Sequence, residues 1–226
     1  MIYTKQKKHT LKYLKGLTTP KGIIPHHDLL QSFLEACKEQ GWSPEADRTI
    51  YLSSNMRIMV ASIYLYPAPG GGKPWPALTL CNNVMFQRTH VYGGVALCDQ
   101  HRSGIPLIRL DYPKRLPPTY EIDLKESSLL IARELKEEIK TFPARIEVLK
   151  VGHYQNPDDW TKTLTLAGSA ELMPWSRIGR VIDLLKSYGE PSKWDILVAF
   201  ARMARIDPPT RQMYQIHEFL HKCLGI

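Results

Sequence analysis

The chain has 226 residues, of which 43% are hydrophobic and 23% charged, and its formal net charge is +8. This is the composition of a soluble globular protein, long enough to bury a core without disulfide or metal support. Four widely spaced cysteines predict reduced thiols in a cytoplasm rather than a disulfide framework. No segment approaches the ~20 apolar residues of a membrane span, and no apolar segment follows the basic N-terminus as in a secretory signal. We therefore expect a cytoplasmic protein without a membrane partner.

The positive charge is concentrated at the N-terminus, where residues 1–27 contain six lysines and no acidic residue. Such a block is typical of a solvated tail, but a flexible polycationic arm also binds phosphate backbones without sequence preference. We expect residues 1–22 to form a basic flexible arm and residues 23–226 to form a single α+β domain. If the arm binds nucleic acid, the lysines that contact phosphate are Lys5, Lys7, Lys8, Lys12 and Lys15.

The first elements after the arm are a helix and several strands. Apolar residues at helical spacing predict a helix over residues 27–40, which Gly41 ends. A stretch with closely spaced prolines, residues 105–118, excludes a helix. Three segments rich in β-branched and aromatic residues predict strands, at residues 56–66, 77–82 and 91–98.

The remaining elements are mostly helical. Asp123 is expected to begin a helix that has Glu126 in its first turn. Residues 145–151 fit either a strand or a short helix. The predicted fold is α+β: a central antiparallel sheet with a helical C-terminal third, about residues 158–226, packed on it. This third contains four expected helices, at about residues 158–171, 174–188, 193–205 and 209–224. Ser192 is expected to cap the helix over 193–205, with Asp195 at the third position.

Two segments of the chain carry a family resemblance. Residues 174–200 contain Pro-Trp-Ser-Arg-Ile-Gly-Arg-Val, a Gly-Glu-Pro turn and Lys-Trp-Asp-Ile-Leu-Val-Ala-Phe. Residues 76–98 begin with Pro-Ala-Leu-Thr-Leu-Cys and end with Val-Ala-Leu-Cys. Over about residues 26–205, the chain resembles the phage- and plasmid-related family called domain of unknown function 932. The resemblance implies a mobile-element protein that acts in a bacterial host cell, and it implies no activity because none is assigned to that family.

The segment 82–92 is where members of that family place polar residues. They carry a Ser-His-Asp-like cluster there, whereas this chain has Asn83-Val84-Met85. The resemblance therefore implies no catalytic nucleophile and base at this turn. The polar side chains of this turn suit a ligand such as nucleic acid or a nucleotide, since an arginine can bind phosphate through two hydrogen bonds. A hairpin tip held by its own side-chain hydrogen bonds is the other interpretation. The candidate ligand-binding residues are Asn82, Gln87, Arg88 and Tyr92.

The last predicted helix contains His217-Glu218-Phe219-Leu220-His221, which matches the H-E-x-x-H motif of zinc hydrolases. Only five residues follow the motif, so the usual downstream third ligand has no room. An apolar stripe at helical spacing also explains the segment without a metal. We therefore expect no cofactor. The alternative is a zinc site formed by His217 and His221 with Cys98 and His101 as the remaining ligands.

Two tryptophans and several arginines lie in the predicted C-terminal helices. Trp175 and Trp194 stand near helix starts, and we expect them to be core anchors rather than platforms for base stacking. The arginines would extend a basic surface if their helices share an exposed face; they are Arg177, Arg180, Arg202, Arg205 and Arg211.

These patterns favour a binding protein over an enzyme. We expect a mobile-element protein that binds nucleic acid, single-stranded DNA in particular, because no helix-turn-helix or zinc finger is present in the sequence. Recombination, annealing or protection of phage or plasmid DNA would suit it. One alternative is a counter-defence protein that captures a host protein or a signalling nucleotide at the 82–92 turn. The other is a zinc-dependent hydrolase that uses His217, Glu218 and His221. A homo-oligomer is compatible with each hypothesis.

Overall fold

The computed structural model describes residues 10–45, 50–53, 55–66, 75–85, 88–96, 114–116, 123–154 and 156–203, with 219, 222, 223 and 225. These residues form an antiparallel sheet and seven helices, so the fold is α+β, as predicted. The chain divides into two compact units, Met1–Ile139 and Lys140–Ile226. Among the described residues, the first unit contains the sheet and the helices α1 to α3, and the second contains the helices α4 to α7.

The sheet has six strands in the order β1-β3-β4-β5-β6, and β2 also pairs with β3. The two short strands β1 and β2, which the sequence analysis did not predict, pair with opposite ends of β3. In the centre, Val60 lies opposite Cys81, which lies opposite His90. The strand bounds are β1 Ser43–Glu45, β2 Ile50–Leu52, β3 Ile58–Tyr66, β4 Trp75–Asn83, β5 Arg88–Ala96 and β6 Lys114–Leu116.

Two long helices pack on this sheet, α2 (His26–Glu39) on β1 and β3 and α3 (Leu124–Ile139) on β5. The predicted apolar face of α2 is confirmed, since Leu29, Leu30, Phe33 and Cys37 are all fully buried. The helix begins after Pro25, so Asp28 lies in its first turn and is not its cap. At the start of α3, the Asp123 carboxylate accepts a hydrogen bond from the Glu126 backbone N–H, as predicted.

Small polar residues allow α2 and α3 to approach closely. The Ser32 and Ser128 hydroxyls lie 2.7 Å apart, and the Ser32 hydroxyl also donates to the Leu124 carbonyl. Ser128 is fully buried, and a buried hydroxyl without a hydrogen-bond partner would cost about 1–3 kcal/mol. The hydrogen bonds to this hydroxyl avoid that cost. The pair fixes the register between the two helices.

The N-terminal segment is folded from Thr10 onward. Helix α1 (Leu11–Lys15) begins at Thr10, whose hydroxyl accepts a hydrogen bond from the Tyr13 N–H, and it packs against α2. Leu14 is 2% exposed. The expected flexible arm therefore does not extend to residue 22, because burial of Leu14, Ile23 and Ile24 holds this segment in the first unit. Residues 1–9 lie outside the described residues.

The second unit contains α4 (Phe142–Val151), α5 (Pro157–Ser169), α6 (Trp175–Lys186) and α7 (Lys193–Met203). Residues 145–151, which fitted a strand or a helix, are thus helical, and the helical part begins at Lys140 rather than near residue 158. The expected helix over 209–224 lies largely outside the described residues. Helix α7 packs on α4 and α6, and α5 packs on α6. The fully buried side chains of this core include Leu164, Val181, Leu185, Leu197 and Phe200. Among the described residues, no helix is long and apolar enough to cross a membrane.

The start of α7 has the predicted cap. The Asp195 carboxylate accepts hydrogen bonds from the Ser192 backbone N–H (2.9 Å) and hydroxyl (2.7 Å), and the Asp195 N–H donates to the Ser192 hydroxyl (3.2 Å). This is a capping box with aspartate at the third position. The Lys193 N–H donates to the Gly152 carbonyl, so the same turn also ties α7 to the end of α4.

Replacing Ser192 by alanine should destabilise the protein by about 1–2 kcal/mol, because a buried cap residue loses its side-chain hydrogen bonds. The measurement is the free energy of unfolding in urea. Ser176→Ala, at an exposed serine in the first turn of α6, is the control and should change stability by less than about 0.5 kcal/mol. Equal effects of the two substitutions would contradict this role for Ser192.

Candidate nucleic-acid interface

The predicted basic arm is only partly described. Lys12 and Lys15 are exposed on α1, so both are available to a polyanion. Lys5, Lys7 and Lys8 lie outside the described residues. The structure therefore places two of the five candidate lysines on a short surface helix of the first unit rather than on a flexible tail.

At its described positions, the predicted hairpin site consists of side chains that are buried in the sheet. Asn82 is 2% exposed and Tyr92 is 5% exposed, so neither side chain faces a ligand at the surface. Arg88 is the first residue of β5, opposite Asn83, and its side chain lies outside the described part of the chain, as does the whole of Gln87. Asn82 and Tyr92 are both buried in the sheet, so a direct contact of either with a ligand stays a prediction.

Asn82 is instead the centre of a buried hydrogen-bond network. Its side-chain Nδ2 donates to the Ile24 carbonyl (3.0 Å) and lies 3.0 Å from His26 Nδ1. Its Oδ1 accepts a hydrogen bond from the Thr89 hydroxyl (2.9 Å). The second ring nitrogen of His26, Nε2, is 3.1 Å from the Met56 carbonyl oxygen. Four chain segments are thus joined at one end of the sheet.

This network fixes the tautomer of His26. Asn82 Nδ2 has two hydrogens and cannot accept a hydrogen bond. It therefore donates one hydrogen to the Ile24 carbonyl and the other to His26 Nδ1, which accepts. Nε2 then carries the proton and donates it to the Met56 carbonyl. A second proton on Nδ1 would meet the Asn82 amide. Burial accordingly lowers the pKa of His26 from 6.5 to about 4, although the Met56 hydrogen bond opposes the shift.

The free energy of unfolding should therefore fall as the pH drops from about 6.5 to about 4. In this window the unfolded chain binds a proton at His26 that the folded protein excludes, so this stability is complete above pH 6.5 and is lost toward pH 4. The loss due to His26 should reach about 3 kcal/mol at pH 4. Urea unfolding across this pH range measures it.

The comparison variant is His26→Gln, which should start less stable at pH 7 but lose about 3 kcal/mol less than the wild type on acidification. If His26→Gln and the wild type lost stability in parallel, the buried neutral histidine would not be the acid-sensitive group.

The predicted metal ligands cannot be placed. His217, His221, Cys98 and His101 all lie outside the described residues. Within the described ranges, no three histidine, cysteine or acidic side chains are grouped so that they could hold a metal ion. Burial raises the pKa of Cys37 and of Cys81 to about 12, so both are protonated thiols in the core and neither is a nucleophile.

Trp175 departs most clearly from its prediction. It was expected to be a core anchor, but its side chain is 57% exposed, whereas Trp194 is half-buried. The six-membered ring of Trp175 lies directly over Gly168 of α5: a Cβ at Gly168 would come within 2.8 Å of Trp175 Cζ3. One part of the indole is therefore supported by the α5 backbone while more than half of its surface meets solvent.

The turn between α5 and α6 produces this arrangement. Helix α5 ends in a tight turn in which Glu171 has a left-handed conformation (φ 55°) and the Leu172 N–H donates to the Ala167 carbonyl. This turn brings the start of α6 back over α5. One turn after Trp175, Gly179 lies at an open position of α6, where a Cβ would meet nothing within 4 Å.

The exposed face of α6 is mainly basic. Arg180 and Lys186 are exposed, Arg177 is half-buried, and Asp183 is the acidic residue of the helix. The first turn of α6 has no acidic residue and no side-chain cap, in contrast to α5, which has Asp158 in its first turn. At such a helix start, the free backbone N–H groups and the positive end of the helix dipole favour binding of an anion.

The two glycines beside Trp175 give a matched pair of substitutions. Gly179→Ala should stabilise the protein by about 0.5–1 kcal/mol, since alanine is the better helix former and the site is open. Gly168→Ala should lose most or all of this gain, because the new methyl group displaces the indole. Thermal or urea unfolding of both variants provides the measurement. An equal gain at both positions would show that the indole does not lie on Gly168.

Comparisons of this chain with models of protein families, with curated proteins and with solved structures find no match. The resemblance read from residues 76–98 and 174–200 therefore stays a prediction.

Proposed function

We propose that this chain is a non-enzymatic protein that binds single-stranded nucleic acid, and that Trp175 stacks on a base. The observation that carries the proposal is the exposed indole, which is supported on one side by Gly168 and is otherwise open to solvent. An aromatic ring that is held in place from one side and exposed on the other is suited to base stacking. Every base has a flat face, so such contacts bind single strands with little sequence preference.

Charge on the same helix supports the proposal. Lys186 lies on the same exposed side of α6 as the indole, about 16.5 Å along the helix axis, whereas the exposed Arg180 lies about 140° around the helix from Trp175. Stacked bases bring a phosphate backbone with them, and basic groups beside an aromatic ring are the usual way in which proteins accommodate both parts of a nucleotide. The net charge of +8 adds long-range attraction for a polyanion.

The biological role that we propose is in recombination, annealing or protection of phage or plasmid DNA. The support for this context is the resemblance of residues 26–205 to the phage- and plasmid-related family. Lys12 and Lys15 are exposed on α1 of the first unit, where they suit phosphate contacts of their own.

Trp175→Ala should weaken binding of a fluorescein-labelled oligothymidylate by roughly 5- to 100-fold, since base–aromatic stacking contributes about 1–3 kcal/mol per base. Trp175→Phe should keep most of the affinity because phenylalanine keeps a flat ring. Fluorescence anisotropy at one fixed salt concentration measures both. Since the indole is more than half exposed, the melting temperature should change by only a few degrees in each variant.

The matched control is Leu166→Ala, because Leu166 is also 57% exposed, lies in the same unit and has no ring. It should bind like the wild type. If Leu166→Ala weakened binding as much as Trp175→Ala, or if Trp175→Ala bound normally, stacking on Trp175 would be excluded as the basis of binding.

A further inference from the structure

A groove with a volume of about 630 Å³ opens in the first unit, at the end of the sheet where the His26 network lies. Its walls come from three separate segments: the α1–α2 connection, the turn before β3 and the turn after β4. Small-molecule sites often have a volume of this size, and they often lie where loops converge at the end of a sheet.

The turn on one side of the groove is held rigidly in an unfavourable conformation. Met56 has a left-handed backbone (φ 56°), a conformation that is unfavourable for a non-glycine residue. Its N–H donates to the Ser53 carbonyl (2.7 Å), and its carbonyl accepts the His26 hydrogen bond (3.1 Å). Strain of this kind, held by buried contacts, is characteristic of ligand sites whose geometry is formed before binding.

The polar lining of the groove favours an anion. Arg57 is exposed at its edge, and Thr18 and Asn55 bring a hydroxyl and an amide to the same space. Asn55 accepts hydrogen bonds at Oδ1 from Ser53 and from the Arg57 N–H, so its Nδ2 donor faces away from that turn, 3.8 Å from the Met85 sulfur. None of the described residues that line the groove is acidic.

The opposite lining is apolar. Leu17 and Ile23 come from the α1–α2 connection, and Val84 and Met85 come from the turn after β4. Met85 is 47% exposed, and a flexible thioether adapts to the flat face of an aromatic ring. A ligand that satisfies both sides has a negative group and a flat apolar body.

From this lining we infer that the groove binds a small organic phosphate of the mononucleotide class, with its phosphate at Arg57 and its base against Met85. The inference does not depend on the proposed DNA surface, because Trp175 belongs to the other unit. The inferred nucleotide site lies at the base of the 82–92 turn. Its lining residues differ from the predicted Asn82 and Tyr92.

Isothermal titration calorimetry of the full chain with AMP, adenosine and inorganic phosphate tests the inference. AMP should bind at least tenfold more tightly than adenosine or phosphate, because only AMP has both the charge and the flat body. Arg57→Gln should weaken AMP binding at least tenfold and leave adenosine binding unchanged. Arg133→Gln, which removes an exposed charge from α3 of the same unit, is the control and should bind AMP like the wild type.

A second pair of variants covers the case in which Arg57→Gln does not fold. Met85→Glu places a negative charge on the apolar wall and should abolish AMP binding, whereas Leu130→Glu, at an exposed leucine on α3, should not. Trp175→Ala should bind AMP normally, which separates this site from the DNA surface. AMP binding no tighter than adenosine binding, or unchanged by Arg57→Gln and Met85→Glu, would overturn the inference.

Discussion

The buried amide of Asn82 is the interaction on which the arrangement of the first unit depends. It has two donor hydrogens and one acceptor oxygen, and the structure provides partners for all three: the Ile24 carbonyl, the His26 ring and the Thr89 hydroxyl. Any one of these partners left unsatisfied in the core would cost about 1–3 kcal/mol. The network therefore sets where α2 begins relative to β4 and β5. Through the His26–Met56 hydrogen bond, it also sets the turn that precedes β3.

In the second unit, the Trp175 side chain packs on the backbone of the neighbouring helix. Gly168 leaves room for the Trp175 ring, and the left-handed turn at Glu171 directs α6 across α5. Its core needs no part of this indole, because Ile178, Val181 and Leu185 form the buried side of α6. An exposed tryptophan that is not required for packing is the kind of residue that a binding function explains.

Features set by neighbouring residues could be predicted from the sequence. The caps at Asp123 and Ser192 were predicted because the residues that form them lie three positions apart. The apolar face of α2 was predicted because helical periodicity is visible over its whole length. The strands β1 and β2 were missed because three residues are too few to show a period.

The candidate site depends on contacts between distant residues, which local sequence patterns do not show. Asn82 and His26 are 56 positions apart, so nothing local showed that this asparagine would be buried by a histidine. The exposure of Trp175 depends on a glycine in the preceding helix and on a non-glycine residue in a left-handed turn. Helix periodicity does not show either of these two features. Amphipathic spacing alone therefore favoured a core position for Trp175.

The most direct test of the account is the salt dependence of binding between the wild-type chain and a single-stranded oligothymidylate. If bases stack on Trp175 while basic groups contact phosphates, tight binding at low salt should weaken as salt rises. The logarithm of the association constant should fall linearly with the logarithm of salt concentration, with a slope of about −0.7 per phosphate contacted. At high salt, residual binding should remain from stacking. No measurable binding at low salt, or an affinity independent of salt, would contradict the account.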